Sequence, residues 1–190
     1  MAARFLAVAD IHSRRGALRA IRQETARHEP DAVIVAGDLT NYGDAAEVRR
    51  VLEGIPVRVL AIPGNLDIWP AFDAAIARSH AESLVGRGIE VGSVVVAGLS
   101  DNVPTCDVLV VHEPPQGILD DAGGERHIGV SSHLEALHRL QPKVLLCGHC
   151  HESPGVAIYR TTTVVNCSLG RGGRGALVEM DGDRVTARLL

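Results

Sequence analysis

A chain of 190 residues, 46% of them hydrophobic, is long enough to bury one substantial core and short for two. A net charge of −4 and a pI near 6.1 exclude a general nucleic-acid surface, which would be basic. No stretch approaches the ~20 apolar residues of a membrane span, and the apolar region before Asp10 is too short for a secretory leader. A soluble, cytoplasmic protein without a membrane partner is expected.

Phe5-Leu6-Ala7-Val8-Ala9 is the first of five short, largely apolar runs without alternation, the pattern of strands buried on both faces. It stops at Asp10, with His12 two residues on. Residues 13–28 read as a helix, with Leu18, Ile21 and Thr25 on one face and Pro30 past its end. Ala32-Val33-Ile34-Val35-Ala36 runs into Gly37-Asp38, and a helix over 44–52 follows with Asp44 as its cap. Residues 57–62 run into Pro63-Gly64-Asn65, and a third helix over 70–78 opens on a proline. Residues 89–91 and 94–97 form two short strands around Gly92-Ser93. Val108-Leu109-Val110-Val111 runs into His112, and a helix over 130–140 ends before Pro142. Val144-Leu145-Leu146-Cys147 runs into Gly148-His149-Cys150-His151. Four strands close the chain, over 155–159, 163–167, 176–180 and 184–190, the last two joined by the hairpin signal Asp181-Gly182-Asp183.

Sites in open α/β sheets form in the crevice at the carboxyl ends of the strands. Five strand ends here deliver Asp10, His12, Asp38, Asn65, His112, His149 and His151. Two carboxylates, one amide and four imidazoles are too many for one ion. They suit two borderline divalent cations, Mn, Fe, Ni, Co or Zn rather than Ca. Asp38 can bridge such a pair, about 3.5–4 Å apart in two-metal hydrolytic sites. Two divalent ions against two carboxylates leave the pocket cationic, which favours a phosphate ester and its more highly charged transition state.

The pieces Asp10-Ile11-His12, Gly37-Asp38-Leu39-Thr40-Asn41, Gly64-Asn65-Leu66-Asp67, Val111-His112-Glu113-Pro114-Pro115 and Gly148-His149-Cys150-His151 resemble, in order, the motifs of the calcineurin-like metallophosphoesterases. The segments His112-Glu113-Pro114-Pro115-Gln116-Gly117-Ile118-Leu119-Asp120 and Arg126-His127-Ile128-Gly129 are similar to the small prokaryotic, Icc-related branch. The resemblance implies a four-layer αββα sandwich of two mixed β-sheets flanked by helices, with residues 1–190 as one domain. It implies that Asp10, His12, Asp38 and His151 hold one metal, and that Asp38, Asn65, His112 and His149 hold the other. Many members carry a histidine directly after the asparagine, serving as general acid or phosphate ligand; this chain has Leu66. Positioned proton donation contributes roughly 10²–10⁴-fold, so Leu66 disfavours monoesters with poor leaving groups. Asp67 or His127 is left as an alternative donor.

The expected activity is dinuclear metal-dependent phosphoester hydrolysis by attack of a metal-bridging hydroxide, with phosphodiesters favoured and nucleotide-like esters among the substrates. Asn65, Asp38 and His127 are the expected catalytic residues. A phosphomonoesterase and a non-catalytic scaffold of the same fold are the alternatives. The sequence sets no oligomeric state. Cys147-Gly148-His149-Cys150 matches the C-x-x-C pattern, but Pro154-Gly155 follow where a redox motif opens a helix. Buried reduced thiols are the simpler reading. Gly170-Arg171-Gly172-Gly173-Arg174-Gly175 reads as a turn between strands, and His28, His80, His133 and His138 as surface residues. Trp69 is either buried area or a platform for a nucleobase at the mouth of the site.

Overall fold

Unbroken apolar runs become strands here because each of their faces meets a separate core. The protein is described by a computed structural model covering every residue except Met1 and Asn102, and the backbone alone at Arg171. In β1 (Ala3–Val8), Phe5 and Ala7 face one core while Leu6 and Val8 face another. One six-stranded sheet has the order β12 (Arg184–Leu189), β11 (Ala176–Asp181), β1, β2 (Ala32–Ala36), β3 (Val59–Ile62), β4 (Glu82–Ser83). The other runs β5 (Gly88–Val91), β6 (Val94–Gly98), β7 (Val108–Val110), β8 (Val144–Cys147), β10 (Thr162–Asn166), β9 (Gly155–Tyr159). Both sheets are mixed: β1 is parallel to β2 and antiparallel to β11, and β10 is parallel to β8 and antiparallel to β9.

The layers follow from which side chains meet. Phe5, Ile34 and Leu60 of the first sheet pack with Val108, Leu146 and Val165 of the second between the sheets. On the outer face of the first sheet, Leu6, Val33 and Val59 meet Ile21 of α1 (Arg15–His28), Leu52 of α2 (Ala45–Glu53) and Phe72 of α3 (Trp69–Ile76). Leu109 and Leu145 of the second sheet meet Ala136 and Leu137 of α4 (Ser131–Leu140). This is the expected αββα sandwich. Among the described residues, no helix is long and apolar enough to cross a membrane.

Register aligns the strand ends that matter. Val8 pairs with Val35, and Val35 with Ala61, in one sheet; Val110 pairs with Leu146, and Leu146 with Val165, in the other. The sheets are joined at this end, where Ala9 N–H donates to the Cys167 carbonyl at 3.2 Å and Leu169 N–H donates to that of Ala9 at 2.9 Å.

Local departures from the sequence reading have physical causes. α1 starts at Arg15 rather than residue 13, because His12 and Ser13 have φ of 50° and 56°, outside helical backbone. Asp44 caps α2 as expected, accepting from Glu47 N–H at 2.8 Å. α3 begins at Trp69, one residue before its proline. His138 is not a free surface residue: its Nε2 lies 2.9 Å from the Tyr159 hydroxyl and the rings stack. His28 is largely covered, 3.4 Å from the buried Glu24 carboxylate.

Candidate metal centre

The five strand ends converge. Asp10, His12 and His151 place ligand atoms within 4.8 Å of one another, and so do Asp38, His112 and His149. Asp38 stands between the groups: its Oδ2 is 3.4 Å from His112 Nε2 and 4.0 Å from His12 Nε2. Asn65 joins the second group through Oδ1, 2.9 Å from His112 Nε2. All seven sequence candidates for metal ligation are thereby assembled at one end of the sandwich. One group draws on both sheets, with Asp10 and His12 after β1 and His151 after β8. The other draws on β2 for Asp38 and on β7 and β8 for its histidines.

The backbone aims these side chains by leaving the strand sharply. Asp10, His12, Asp38 and His149 all have positive φ, between 50° and 64°. Each such residue costs about 1–3 kcal/mol and persists where its surroundings enforce it. Two glycines permit the crowding. Gly37, at φ 91°, passes so close to the His112 ring that a Cβ would sit 2.5 Å from Nδ1. At Gly64 a Cβ would collide with the Asp38 carboxylate.

Hydrogen bonds set the orientations. His112 Nδ1 donates to the Ala36 carbonyl at 2.8 Å, leaving Nε2 for the site. Leu66 N–H donates to Asp38 Oδ1 at 2.8 Å, leaving Oδ2 between the groups. His149 N–H donates to the Asp10 carboxylate at 3.0 Å. Arg14 holds the turn from behind, donating to the carbonyls of Asp10 at 2.6 Å and Leu169 at 3.1 Å. Burial pushes the Asp10 carboxyl up, but hydrogen bonds from His151 and Ser168 and the charge of His112 outweigh it and hold it below its ordinary value. Burial pushes His112 down, and Asp38 more than reverses this, raising it to about 9. His151 is raised chiefly by its hydrogen bond to Asp10, and His149 is lowered chiefly by burial.

This donor set fits divalent cations. The Nε2 atoms of His12 and His151 face each other at 3.5 Å, and Nδ1 of His12 is buried with no hydrogen-bond partner among the described residues. Imidazoles pressed together beside carboxylates are the donor chemistry of Mn, Fe, Ni, Co and Zn.

Other candidates fall elsewhere. His127 belongs to neither ligand group; its Nδ1 is 2.8 Å from Asp120 Oδ1, and its side chain is 59% exposed. Its loop is nevertheless fastened beside His151, with Ser153 Oγ donating to the Asp121 carbonyl at 2.7 Å. Asp67 is not an available proton donor. Its carboxylate accepts from the backbone N–H groups of Leu39, Thr40 and Gly64 and from the Thr40 hydroxyl, at 2.9–3.0 Å. Cys106, Cys147, Cys150 and Cys167 are all free and buried, and burial raises the thiol of each. Arg174 pairs with Glu24, while the side chain of Arg171 lies outside the described residues. Arg14 and Ser168 are supports the sequence reading missed. Neither has a motif; Arg14 reaches Asp10 within the turn after β1, while Ser168 reaches it, and Leu169 reaches Arg14, because the chain after β10 closes against the end of β1.

The family model of the calcineurin-like phosphoesterase superfamily domain matches residues 4–174. The chain belongs to that superfamily, whose members act on phosphate esters and use dinuclear metal centres. A UPF0046 protein of Caenorhabditis elegans is 40% identical over 62 residues, 33% of this chain and 21% of that protein. The chain thus matches only about a fifth of that relative's length. Among solved structures, the protein TT1561 of Thermus thermophilus superposes with a TM-score of 0.72 at 13% identity, covering 100% of this chain and 99% of that one. An archaeal phosphodiesterase gives 0.63 at 14% identity, covering 98% and 99%. At such identities these likenesses show the fold.

Proposed function

We propose that the chain is a dinuclear metal-dependent phosphodiesterase. Asp10, His12, Asp38 and His151 would hold one ion, and Asp38, Asn65, His112 and His149 the other. The observation that carries this reading is the place of Asp38 Oδ2, within 4.0 Å of His12 and 3.4 Å of His112. Bound there, two cations would polarise a phosphoryl oxygen and lower the pKa of water at the site.

The chain's own groups do the rest. Asn65 orients the phosphate beside His112, and the Leu66 N–H fixes which oxygen of Asp38 faces the site. A departing alkoxide needs a proton. Leu66 cannot give one, and all four bonds to Asp67 come from donors. His127, exposed and outside both ligand groups, is the remaining candidate donor, and efficient transfer from it would flatten the dependence of rate on leaving-group pKa. The preference for diesters rests on this shortage of donors at the asparagine turn, and the archaeal phosphodiesterase of the same fold agrees with it. The monoesterase reading gains only if His127 protonates poor leaving groups efficiently. The scaffold reading has no observation in its favour, since every ligand position is filled by a competent side chain.

The test is a screen of purified, metal-reconstituted protein against aryl and alkyl diesters, cyclic nucleotides and monoesters. Diesters should be preferred, with rates depending steeply on leaving-group pKa. Alkyl monoesters turned over as fast as aryl diesters would overturn the proposal.

A further inference from the structure

Trp69 is the only tryptophan in the chain, and the fold leaves it 53% exposed while Phe5 and Phe72 are fully buried. Large aromatics normally contribute to stability by burial, so an exposed one calls for another use. It opens α3 four residues after Asn65, beside Ile68, which is 41% exposed. A second exposed aromatic borders the same turn: Tyr42 is 65% exposed, and its N–H donates to the Leu66 carbonyl at 2.7 Å.

Trp69 lines a cavity of about 210 Å³ together with Pro63, Leu99, Glu113, His133 and His112. His112 also belongs to the second ligand group, so a molecule in this cavity adjoins the candidate metal centre. Drug-sized ligands occupy roughly 300–1,000 Å³; this space suits one ring system. Its chemistry excludes the phosphate itself, because the Glu113 carboxylate would repel an anion. The same carboxylate can accept N–H groups from the edge of a ring. His133 is held in the wall by its Nδ1, 2.9 Å from the Glu113 carbonyl, and is not the free surface residue expected from the sequence.

We propose that this cavity is a ring-binding subsite, in which Trp69 stacks the nucleobase or aryl group of an ester whose phosphate lies at the two ligand groups. This substrate class rests on the phosphodiesterase reading, but binding of the ring does not. Stacking on an aromatic side chain strengthens binding roughly 5- to 150-fold per base.

The sole tryptophan supplies a direct readout. Its fluorescence is followed in the metal-free full chain during titration with adenosine, with phenol as the aryl probe and ribose as the ring-free control. Saturable quenching by adenosine, absent with ribose, is expected; phenol quenching as strongly as adenosine would assign the subsite to aryl groups generally. Quenching that never saturates, or that ribose matches, would overturn the subsite whatever the enzyme hydrolyses. In the metal-loaded protein, Trp69→Ala should raise KM for an adenosine-bearing diester at least fivefold relative to glycerophosphocholine, and Trp69→Phe should restore most of that preference. Equal losses on both esters would mean that Trp69 merely supports the fold. A screen in which no ester reacts, beside normal adenosine quenching, would remove the phosphodiesterase reading and keep the ring site.

Discussion

Asp38 stands between the two ligand groups, with its Oδ2 3.4 Å from His112 Nε2 and 4.0 Å from His12 Nε2. Asp38→Ala removes the one carboxylate able to lie between two cations, which then repel each other unshielded. The variant should lose at least one ion per chain and bring hydrolysis to background. Elemental analysis that still found two ions would remove Asp38 from the bridge. His127 gives a prediction independent of metal. Its hydrogen bond to Asp120, and then the charge of that carboxylate, raise it above its ordinary 6.5. Burial pushes Asp120 up, but the His127 bond and the Gly117 and Gly129 N–H groups hold it below 3.8. The imidazolium contribution to holding this loop is complete below pH 6.5 and is lost as pH rises through the raised value. The carboxylate contribution is complete above pH 3.8 and is lost as pH falls through the lowered one. An NMR titration should therefore place the His127 midpoint above 6.5, and Asp120→Asn should bring it back down. An unchanged midpoint in that variant would show that the pair does not govern the loop.

At the scale of elements, the Asp67 side chain clamps the turn after β3 to the turn after β2, alongside the bonds from Leu66 N–H to Asp38 and from Tyr42 N–H to the Leu66 carbonyl. Asp67 accepts two N–H groups from the Leu39-Thr40 turn and one from Gly64, as well as the Thr40 hydroxyl. An unsatisfied buried polar group costs about 1–3 kcal/mol, so Asp67→Ala should destabilise the fold by about 3 kcal/mol or more. It should also weaken metal binding, because Asp38 and Asn65 sit on the two turns that come loose. Denaturant melts and metal titrations measure the two effects. A loss of stability with unaltered affinity would mean that the turns keep their places without the clamp. The strands themselves were legible, because β2 and β8 are unbroken apolar runs bounded by glycine and polar residues. β4 was not: Glu82-Ser83 is a two-residue edge strand whose only signal is the partner it finds in β3.

For the whole molecule, the site acts as a joint between the sheets. Asp10, His12, Asp38 and Asn65 follow strands of one sheet, and His112, His149 and His151 follow strands of the other. Cations bound here would favour only the assembled sandwich, adding about 2.7 kcal/mol at a hundredfold excess over Kd. Chelation should lower the melting temperature by several degrees, and readdition of metal should restore it. A melting temperature indifferent to chelation would place the binding energy outside the folding equilibrium. Sequence alone determined the strand ends and the ligand-type residues, because apolar runs ending in Asp, Asn and His are local patterns; the αββα class followed from the family resemblance that those motifs carry. Tertiary structure decided the rest. It set the gap between the two ligand groups, the clamp role of Asp67, the hold of Arg14 and Ser168 on Asp10, and the exposure of Trp69 beside His112. These depend on the register of β1 against β2, on closure of β10 against β1, and on four left-handed residues at the site. Most of these relations join residues far apart in the chain, and no local pattern encodes them.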